Sequence, residues 1–383
     1  MSIEVERVVG RRGRRRFLEF EWSVYRNDPL WVPPIIKDQV RALDPDRGGF
    51  FERGRADLFL AKRGGRTVGR ICSAEDPPTN QSIGRKDALI GFFECIDDQE
   101  VAAALFDTAG GWANDRGLDH LFGPFDLDYE NSHGILIEKR DRPAAIMCGH
   151  SPPHYQRLFE NYGFEKARGD SLAFAVSVLP EENPNLARLS RLAGIARRRG
   201  RVAIRNADLS DFDAEIDRIH DLLVRSLAHL PGSLPWRRDV LARTLEPLRR
   251  IVDPELILFA MVDGKEVGWF PGIRNLNELL IRCNGLRYPW DYLRLLRHMG
   301  EQPECLAVKS VVVLPEYWNT GVAILLFDEM VSRSRAKGYR WLDLSLTAED
   351  NPQTPLIAEN YGAHMYKRYR VFRKRIELNR SAK

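Results

Sequence analysis

The sequence lacks a hydrophobic stretch long enough to span a bilayer, and it has little cysteine. No run of about 18 apolar residues occurs, and the N-terminal run MSIEVERVVGRRGRRR is charged where a secretion signal would be apolar. The five cysteines are scattered and form no C-x-x-C pair, which argues against a disulfide framework and against a zinc site. We therefore predict a globular, cytoplasmic protein, and we expect no metal.

The formal net charge is only +4, but basic residues occur in clusters. The longest runs are Arg11 to Arg16, Arg197 to Arg201 and Lys367 to Arg375. Such clusters are typical of a solvated face, or of a surface for anionic lipid head groups, RNA or CoA phosphates. The sequence therefore allows peripheral attachment to an anionic inner membrane. We expect no nucleic-acid partner.

One stretch of the second half, VKSVVVLPEYWNTGVA followed by ILLFDEMVSRSRAKG, has the pattern of a strand, a loop and a helix. The apolar run at 311–313 predicts a buried strand, Pro315 a turn, and Gly321 the end of a loop before the helix. Backbone N–H groups at such a helix N-terminus point outward and can bind a phosphate or pyrophosphate. The stretch therefore predicts an anion site, with an ordinary strand, loop and helix of an α/β core as the alternative.

The second half of the chain repeats the first. The run DLFLAKRGGRTVGRIC matches ELILFAMVDGKEVGWF, and Gly65 aligns with Gly264 at an offset of 199 (264 − 65). The runs LFDTAGGWANDRG and LFDEMVSRSRAKG align at an offset of 221 (338 − 117), and ENYG returns at an offset of 199 (362 − 163). Self-similarity of this kind predicts two copies of one domain.

The predicted domains are residues 1–178 and 201–383, and each has the pattern of a mixed sheet with helices on both sides. The predicted fold class is therefore α/β, with two tandem domains. The changes of offset predict extra segments around 125–152 and 271–302, which we expect to be loops. In the first copy Asp97, Asp98 and Glu100 stand in place of the glycine loop, and these acids would repel a diphosphate.

The order strand, V-x-P-x-x, Q/R-x-x-G-x-G/A and helix resembles the coenzyme A pyrophosphate loop of the GNAT acyltransferase superfamily, and the two copies resemble its tandem members. Asn275 to Asn277, Asn284-Gly285 and Glu349 to Asn351 follow the pattern of a bacterial subfamily that includes ceramide synthases. The resemblance implies two GNAT-like domains, with acyl-CoA as a cosubstrate of the second. The residues that it implies for CoA binding are Val311, Val312, Val313, Trp318, Asn319, Thr320, Gly321, Val322 and Ala323. Trp318 departs from the motif, because it stands where a Gln or Arg is usual.

Acyl transfer to an amine needs a base for the amine and a proton source for the departing thiolate. Glu349 and Asn351 follow the strand WLDLSLT, which neighbours the phosphate-loop strand in this fold, and helix capping is their alternative role. Glu130 and His133 lie in a polar loop of the first copy, where a solvated surface is the alternative. These four residues are candidate catalytic residues, and among them Glu349, Glu130 and His133 have side chains that could act as the base.

Ala358 occupies the position of the family's usual proton-donating tyrosine, so the motif does not identify the donor. The nearby candidates are Tyr361, Tyr366 and Tyr369, of which we select Tyr366, and packing in a terminal strand is their alternative role. The predicted function is an acyl-CoA-dependent N-acyltransferase that acts on a small or lipidic amine. The resemblance implies that the acyl group could be a long-chain one and that the amine could be a sphingoid base. No cysteine or serine lies in a nucleophile motif, which favours direct attack without an acyl-enzyme. A non-catalytic acyl-CoA- or lipid-binding module and an aminoacyl-tRNA-dependent transferase are the alternatives.

Overall fold

The computed structural model describes residues 2–127, 134–200, 202–228, 237–350 and 358–377. Its strands are β1 (Ile3–Arg7), β2 (Arg55–Arg63), β3 (Arg66–Glu75), β4 (Asp87–Cys95), β5 (His120–Phe125), β6 (Ile135–Glu138), β7 (Glu165–Lys166), β8 (Ser171–Ser177), β9 (Val202–Asn206), β10 (Ile257–Val262), β11 (Lys265–Arg274), β12 (Cys305–Val308), β13 (Val312–Val313), β14 (Trp341–Ala348), β15 (His364–Arg370) and β16 (Phe372–Arg375). Its helices are α1 (Gly10–Glu19), α2 (Glu21–Val24), α3 (Ile36–Ala42), α4 (Pro77–Ser82), α5 (Gln99–Asn114), α6 (His154–Asn161), α7 (Asn185–Arg198), α8 (Phe212–Leu227), α9 (Arg238–Leu245), α10 (Asn277–Leu280), α11 (Pro289–His298) and α12 (Val322–Ala336). Within these ranges, none of the helices has both the length and the apolar composition needed to cross a membrane.

The chain forms two compact units, and the first contains Met1–Ser171, Asn277–Gly300 and Lys367–Lys383. Its sheet has the strand order β1-β2-β3-β4-β5-β16-β7. Neighbouring strands are antiparallel except β4 and β5, which run parallel and are connected through α5. The C-terminal strand β16 lies between β5 and β7, antiparallel to both.

The second unit contains Leu172–Leu276 and Glu301–Tyr366. Its strands follow the order β8-β14-β12-β11-β10-β9, and β13 also pairs with β11. The pairs from β9 to β12 are antiparallel, whereas β12 and β14 are parallel and are connected through α12. Each unit is thus a mixed sheet with a parallel step across a long helix, which confirms the predicted α/β fold class.

The hairpins that the repeat predicts are present in both units. The angle φ is 56° at Gly64 and 76° at Gly65, and it is 49° at Asp263 and 77° at Gly264. Positive φ at both central residues is the geometry of a type I′ turn, whose twist matches that of the strands it joins. The offset of 199 therefore aligns residues that share a backbone conformation.

The first unit is built around β4 and α5. All nine residues of β4 are buried, as expected for a central strand that is covered on both faces. At the start of α5, the Asp98 carboxylate accepts hydrogen bonds from the N–H groups of Glu100 (2.9 Å) and Val101 (3.2 Å). Arg63 donates to the same carboxylate at 2.6 Å. A side-chain carboxylate thus occupies the helix N-terminus where a phosphate would otherwise bind.

Two expectations about extra segments are wrong. The segment around 271–302 is not a loop, because it contains α10 and α11, and the segment around 125–152 contains β6. Helix α11 forms because Pro289 suits the first helical position and the Asp291 carboxylate accepts a hydrogen bond from the N–H of Tyr288 at 3.0 Å. Val311, expected in a buried strand, is 41% exposed, since β13 begins only at Val312, two residues after a positive φ of 53° at Ser310.

Candidate active site

A cavity of about 380 Å³ lies in the first unit where β4 and β5 diverge. The two strands are paired from Asp87 opposite His120 to Gly91 opposite Phe125, and β4 then continues to Cys95. The side chains of Phe93 and Glu94 on this last part of β4 line the cavity, together with residues of α1, α2, α6 and α10. The cavity therefore lies at the carboxyl end of a parallel strand pair, where sheets commonly place functional groups.

Glu94 is the buried acid of this cavity. Glu94 is 7% exposed, and its Oε2 accepts a hydrogen bond from the Tyr155 hydroxyl at 2.5 Å. Burial, reinforced by the negative charge of Glu21, raises the pKa of the Glu94 carboxyl from 4.5 to about 8. The positive charge of Arg70 and the hydrogen bonds from Tyr155 and Tyr25 oppose this shift without cancelling it. A carboxyl group with such a pKa can accept and release a proton near neutral pH.

Arg70 does not hold Glu94 in its charged form because its own guanidinium is committed elsewhere. It is 1% exposed and donates to the backbone carbonyls of Phe17 (3.0 Å) and Leu18 (3.2 Å). Its Nη2 lies 2.8 Å from a Glu21 oxygen but 3.7 Å from Oε1 of Glu94. The positive charge is thus shared between two carboxylates, and Glu21 is the nearer one.

The two tyrosines beside Glu94 are neutral hydrogen-bond donors. Burial raises the pKa of both Tyr25 and Tyr155 well above the usual value, and the negative charge of Glu94 acts in the same direction. The Tyr155 oxygen also accepts a hydrogen bond from the N–H of Cys95 at 3.0 Å, so its proton is directed to Glu94. The Tyr25 oxygen lies 3.1 Å from the carbonyl of His150 and 3.4 Å from Oε1 of Glu94.

His150 is a second titratable group on the cavity wall. Its Nε2 lies 2.7 Å from an Asp28 carboxylate oxygen. Burial lowers the pKa of the imidazole, although Asp28 opposes the change. Within the described ranges its buried Nδ1 has no hydrogen-bond partner. The cavity thus combines a carboxyl group of raised pKa with an imidazole of lowered pKa.

In the second unit, the residues predicted to bind CoA lie on a strand, a loop and a helix as the sequence indicates. Val312 and Val313 are buried in β13, and Gly321, with a φ of 91°, precedes the first residue of α12. The Trp318 indole N–H donates to the carbonyl of Val313 at 2.8 Å, so this ring is bound back onto the strand. Asn319 and Thr320 are exposed, Val322 is buried and Ala323 is half-buried.

The basic end of α7 lies against this loop. A Cβ atom added to Gly321 would lie 2.9 Å from the Cβ of Ala196, so α7 approaches the start of α12 closely there. Arg197 pairs with Asp328 and Glu329 on α12, at 3.5 and 3.2 Å. Arg198 and Arg199 follow and are exposed. The described residues of this basic cluster, Arg197 to Arg199, thus add positive charge near the N-terminus of α12.

Of the predicted catalytic residues, Tyr366 and Glu349 lie in the described part of the chain. Tyr366 is 2% exposed and donates its hydroxyl proton to Asp343 at 2.9 Å, in the second unit. Lys309 forms a buried ion pair with the same carboxylate. Glu349 is half-buried in the turn after β14. Asn351, Glu130 and His133 lie outside the described residues.

One group in the described part of the chain has the spacing of metal ligands. The side-chain ligand atoms of Asp87, Asp119 and His120 all lie within 4.8 Å of one another. Arg373 donates to the Asp87 carboxylate at 2.8 Å, and a cation there would compete with this arginine. The expectation of no metal stays a prediction.

Comparison with known proteins identifies the fold. No family model matches the sequence. A solved tandem GNAT protein from the clavulanic acid biosynthesis pathway matches with a TM-score of 0.59 over 98% of both chains, at 14% sequence identity. The chain has a tandem GNAT fold.

Two relatives match this tandem GNAT chain over nearly their full length. The bacterial ceramide synthase of Caulobacter vibrioides strain NA1000 / CB15N is 29% identical over 366 residues, which cover 94% of each chain. The protein YghO of Escherichia coli strain K12 is 27% identical over 368 residues, which cover 94% of this chain and 93% of its own. The resemblance inferred from the sequence is confirmed by these matches.

The two parallel strand pairs of the tandem GNAT fold, β4 with β5 and β12 with β14, adjoin different groups of residues. In the first unit, β4 and β5 diverge around the cavity that holds Glu94. In the second unit, β12 and β14 pair from Cys305 opposite Trp341 to Ala307 opposite Asp343, and β14 then continues to Ala348. The buried ion pair between Lys309 and Asp343 lies where this pairing ends. The first unit therefore offers an open site with a titratable acid, and the second offers a glycine loop with adjoining arginines.

Sequence reasoning missed the cavity residues Glu94, Tyr25 and Arg70. A usable signal existed for one of them, because Glu94 is the charged residue within the apolar run ALIGFFECI. A carboxyl group in a buried strand must be paired with another group or be neutral, and either condition indicates a candidate functional residue. Tyr25 and Arg70 carry no such signal, since each is separated from Glu94 by many positions along the chain.

Proposed function

We propose that this protein is an acyl-CoA-dependent N-acyltransferase in which Glu94 is the base for the acceptor amine. The observation that carries the proposal is a buried carboxyl group, with a pKa of about 8, on the wall of a 380 Å³ cavity at a strand divergence. The tandem GNAT fold supports acyl transfer as the reaction class. The similarity to a protein named bacterial ceramide synthase supports a long-chain acyl donor and a sphingoid base or other lipidic amine as acceptor.

In the proposed reaction Glu94 acts first as a general base and then as a general acid. An alkyl ammonium has a pKa near ~10, so its proton must be removed before it can attack the thioester carbon. The substrate ammonium first gives up one proton to solvent. As the N–C bond forms and the C–S bond breaks, the Glu94 carboxylate takes the second proton from nitrogen, and the resulting Glu94 carboxyl passes it to the departing thiolate. Tyr155 and Tyr25 hold this carboxyl in place through their hydroxyl groups.

The first test replaces Glu94 by Gln, which preserves size and removes the base. We expect kcat/KM for transfer from palmitoyl-CoA to a sphingoid base, followed by mass spectrometry, to fall by about 10²- to 10⁴-fold. Calorimetric affinity for palmitoyl-CoA should stay unchanged. Glu75→Gln is the matched control, because Glu75 is equally buried but pairs with Arg55 away from the cavity.

Undiminished turnover in Glu94→Gln would remove this residue from the mechanism. If the wild-type protein binds palmitoyl-CoA but transfers the acyl group to none of a panel of amines, the non-catalytic acyl-CoA-binding alternative takes its place.

The phosphate groups of acyl-CoA are proposed to bind at the loop of the second unit, from Val311 to Ala323. Three features support this proposal: the N-terminus of α12, which no side-chain hydrogen bond caps within the described residues, the positive φ of Gly321, and the exposed Arg198 and Arg199 on the neighbouring α7. Positive charge from α7 would then replace the Gln or Arg that Trp318 displaces. This proposal and the one for Glu94 fail independently.

The test of the loop reverses the charge of Arg198 and Arg199. We expect the double variant Arg198→Glu/Arg199→Glu to lose affinity for acyl-CoA and to show a weaker dependence of that affinity on salt. Arg188→Glu/Arg191→Glu is the control on the same helix. A substitution at Gly321 is less informative, since any side chain there would press on Ala196. Equal affinity in both double variants would move the phosphate site elsewhere.

A further inference from the structure

Helix α11 of the first unit turns apolar side chains outward. Trp290, Leu293 and Leu296 are 54%, 68% and 65% exposed. Their spacing of three residues places them within a continuous face of the helix. A surface helix of a globular protein normally buries such residues and exposes polar ones. In α11 the arrangement is reversed, and the three residues form what we call the apolar face of α11.

The opposite side of α11 is held by polar and aromatic contacts. Asp291 is fully buried, with its carboxylate accepting from the N–H of Tyr288 and lying 3.3 Å from Arg294. The ring of Tyr292 lies beneath the ammonium of Lys37 on α3, at 4.7 Å from its centroid. Because these contacts fix the helix on its inner side, the apolar face of α11 is not available to complete the core of the unit.

The exposed charged side chains of α11 are arginines. Arg294 and Arg297 are exposed on α11, although Arg294 also pairs with Asp291, and Arg282 is exposed shortly before the helix. The acid of the helix, Asp291, is the residue buried on the inner side. Exposed tryptophan and leucine flanked by arginines are the composition of helices that lie in a membrane interface and attract anionic lipids.

We propose that the apolar face of α11 docks this protein on an anionic lipid bilayer. Trp290, Leu293 and Leu296 enter the interface between head groups and acyl chains, and the arginines contact the phosphates. The neighbouring helix α10 supplies Asn277 and Leu280 to the wall of the Glu94 cavity. The segment that contacts the membrane is therefore continuous with one that lines the site. This role rests on the proposed function, because it supplies that site with a membrane-resident lipid amine.

Vesicle binding tests the proposal directly. Purified protein is sedimented with vesicles of phosphatidylglycerol and phosphatidylcholine, and separately with vesicles of phosphatidylcholine alone. We expect binding to the anionic vesicles, and at least a tenfold loss of partitioning for Trp290→Ser/Leu293→Ser/Leu296→Ser. The matched control is Ile195→Ser/Val224→Ser/Ile251→Ser, which removes three apolar side chains of 40% to 45% exposure from the other unit.

A second pair of variants tests the electrostatic part. Arg294→Gln/Arg297→Gln should lose the preference for anionic over zwitterionic vesicles while the apolar residues remain. Absence of binding by the wild-type protein, or equal binding by the triple serine variant, would overturn the proposal. So would a dimer in sedimentation velocity that the triple variant dissociates, without vesicle binding, because a second copy would then cover the face.

A two-substrate assay separates this inference from the proposed function. The triple serine variant should keep its turnover on a water-soluble amine. Its turnover on an amine embedded in anionic vesicles should fall at least tenfold. If neither amine is acylated by the wild-type protein, the proposed function fails, whereas sedimentation with vesicles still decides whether α11 is a docking element.

Discussion

At the scale of single residues, Glu94 makes the stability of the first unit depend on pH. Its pKa is raised from 4.5 to about 8, mainly by burial. Between these values the folded chain holds a proton that the unfolded chain has lost. The contribution of Glu94 to the free energy of unfolding is therefore complete below pH 4.5 and is lost as pH rises towards 8, by up to about 1.4 kcal/mol per pH unit.

Replacing Glu94 by Gln removes this titration, so the pH dependence is testable. We expect the free energy of unfolding of the wild type, minus that of Glu94→Gln, to decrease between pH 5.5 and pH 8.5 in urea titrations. A constant difference across this range would contradict the raised pKa. Glu75→Gln again provides the comparison, because its carboxylate is paired with Arg55 at 2.7 Å.

Glu21 sets the pKa of Glu94 in two ways that act in the same direction. Its negative charge raises the pKa of Glu94, and its carboxylate holds the Arg70 guanidinium at 2.8 Å. In Glu21→Gln the repulsion disappears and Arg70 can interact more strongly with Glu94. We therefore expect the Glu94 midpoint, followed by carbon-13 NMR of labelled carboxyl groups, to move below about 8.

The control for this measurement is Glu19→Gln, which removes a nearby carboxylate that pairs with Arg15 at 2.9 Å. An unchanged or higher midpoint in Glu21→Gln would mean that Glu21 does not act on Glu94. Neither Glu21 nor Arg70 could be connected to Glu94 from sequence, because their proximity depends on α1, α2 and β3 meeting in the folded unit.

At the scale of elements, the cavity depends on how closely β4 approaches β5. A Cβ atom added to Gly91 would lie 1.5 Å from the carbonyl oxygen of Phe125, so no side chain fits at this position. We expect Gly91→Ala to separate the two strands and to lower the free energy of unfolding by about 3 kcal/mol or more. Urea unfolding followed by circular dichroism would measure this.

Gly111 provides a control within the same unit. It lies on the exposed side of α5, and an added Cβ would meet nothing within 4 Å. Because alanine is the better helix former, Gly111→Ala should stabilise the chain by up to about 1 kcal/mol. Equal effects of the two substitutions would mean that the approach of β4 to β5 does not require glycine.

Elements differ in how far the sequence determines them. The hairpins at Gly64-Gly65 and Gly264 could be predicted, since the turn residues themselves require the observed backbone angles. Helix α11 was expected to be a loop, because the change of offset marks an insertion without indicating its structure. Its apolar residues recur at helical spacing, but they face outward, so a search for buried faces does not find them.

At the scale of the whole molecule, the repeat predicts two copies but not which sheet receives each terminal strand. The compact units differ from the predicted domains 1–178 and 201–383, because β8 belongs to the second unit and β16 to the first. A buried strand has the same alternating pattern in either sheet, so sequence cannot decide its partner. The bounds 1–178 and 201–383 stay a prediction. A truncation at either bound would separate a strand from the sheet to which it belongs.

Phe372 tests whether β16 is an integral part of the first unit. It is 1% exposed, it lies opposite Gly123 of β5, and its ring centroid is 5.2 Å from that of Phe159 on α6. Phe372→Ala should lower the free energy of unfolding by about 3–5 kcal/mol. Because β16 shields the edge of β5, hydrogen exchange should then accelerate at the amides of β5 as well as at β16. Arg375→Ala, at the exposed end of the same strand, should leave both strands protected. If the protection of β5 stayed at the wild-type level in Phe372→Ala, β16 would not be an integral part of the first unit.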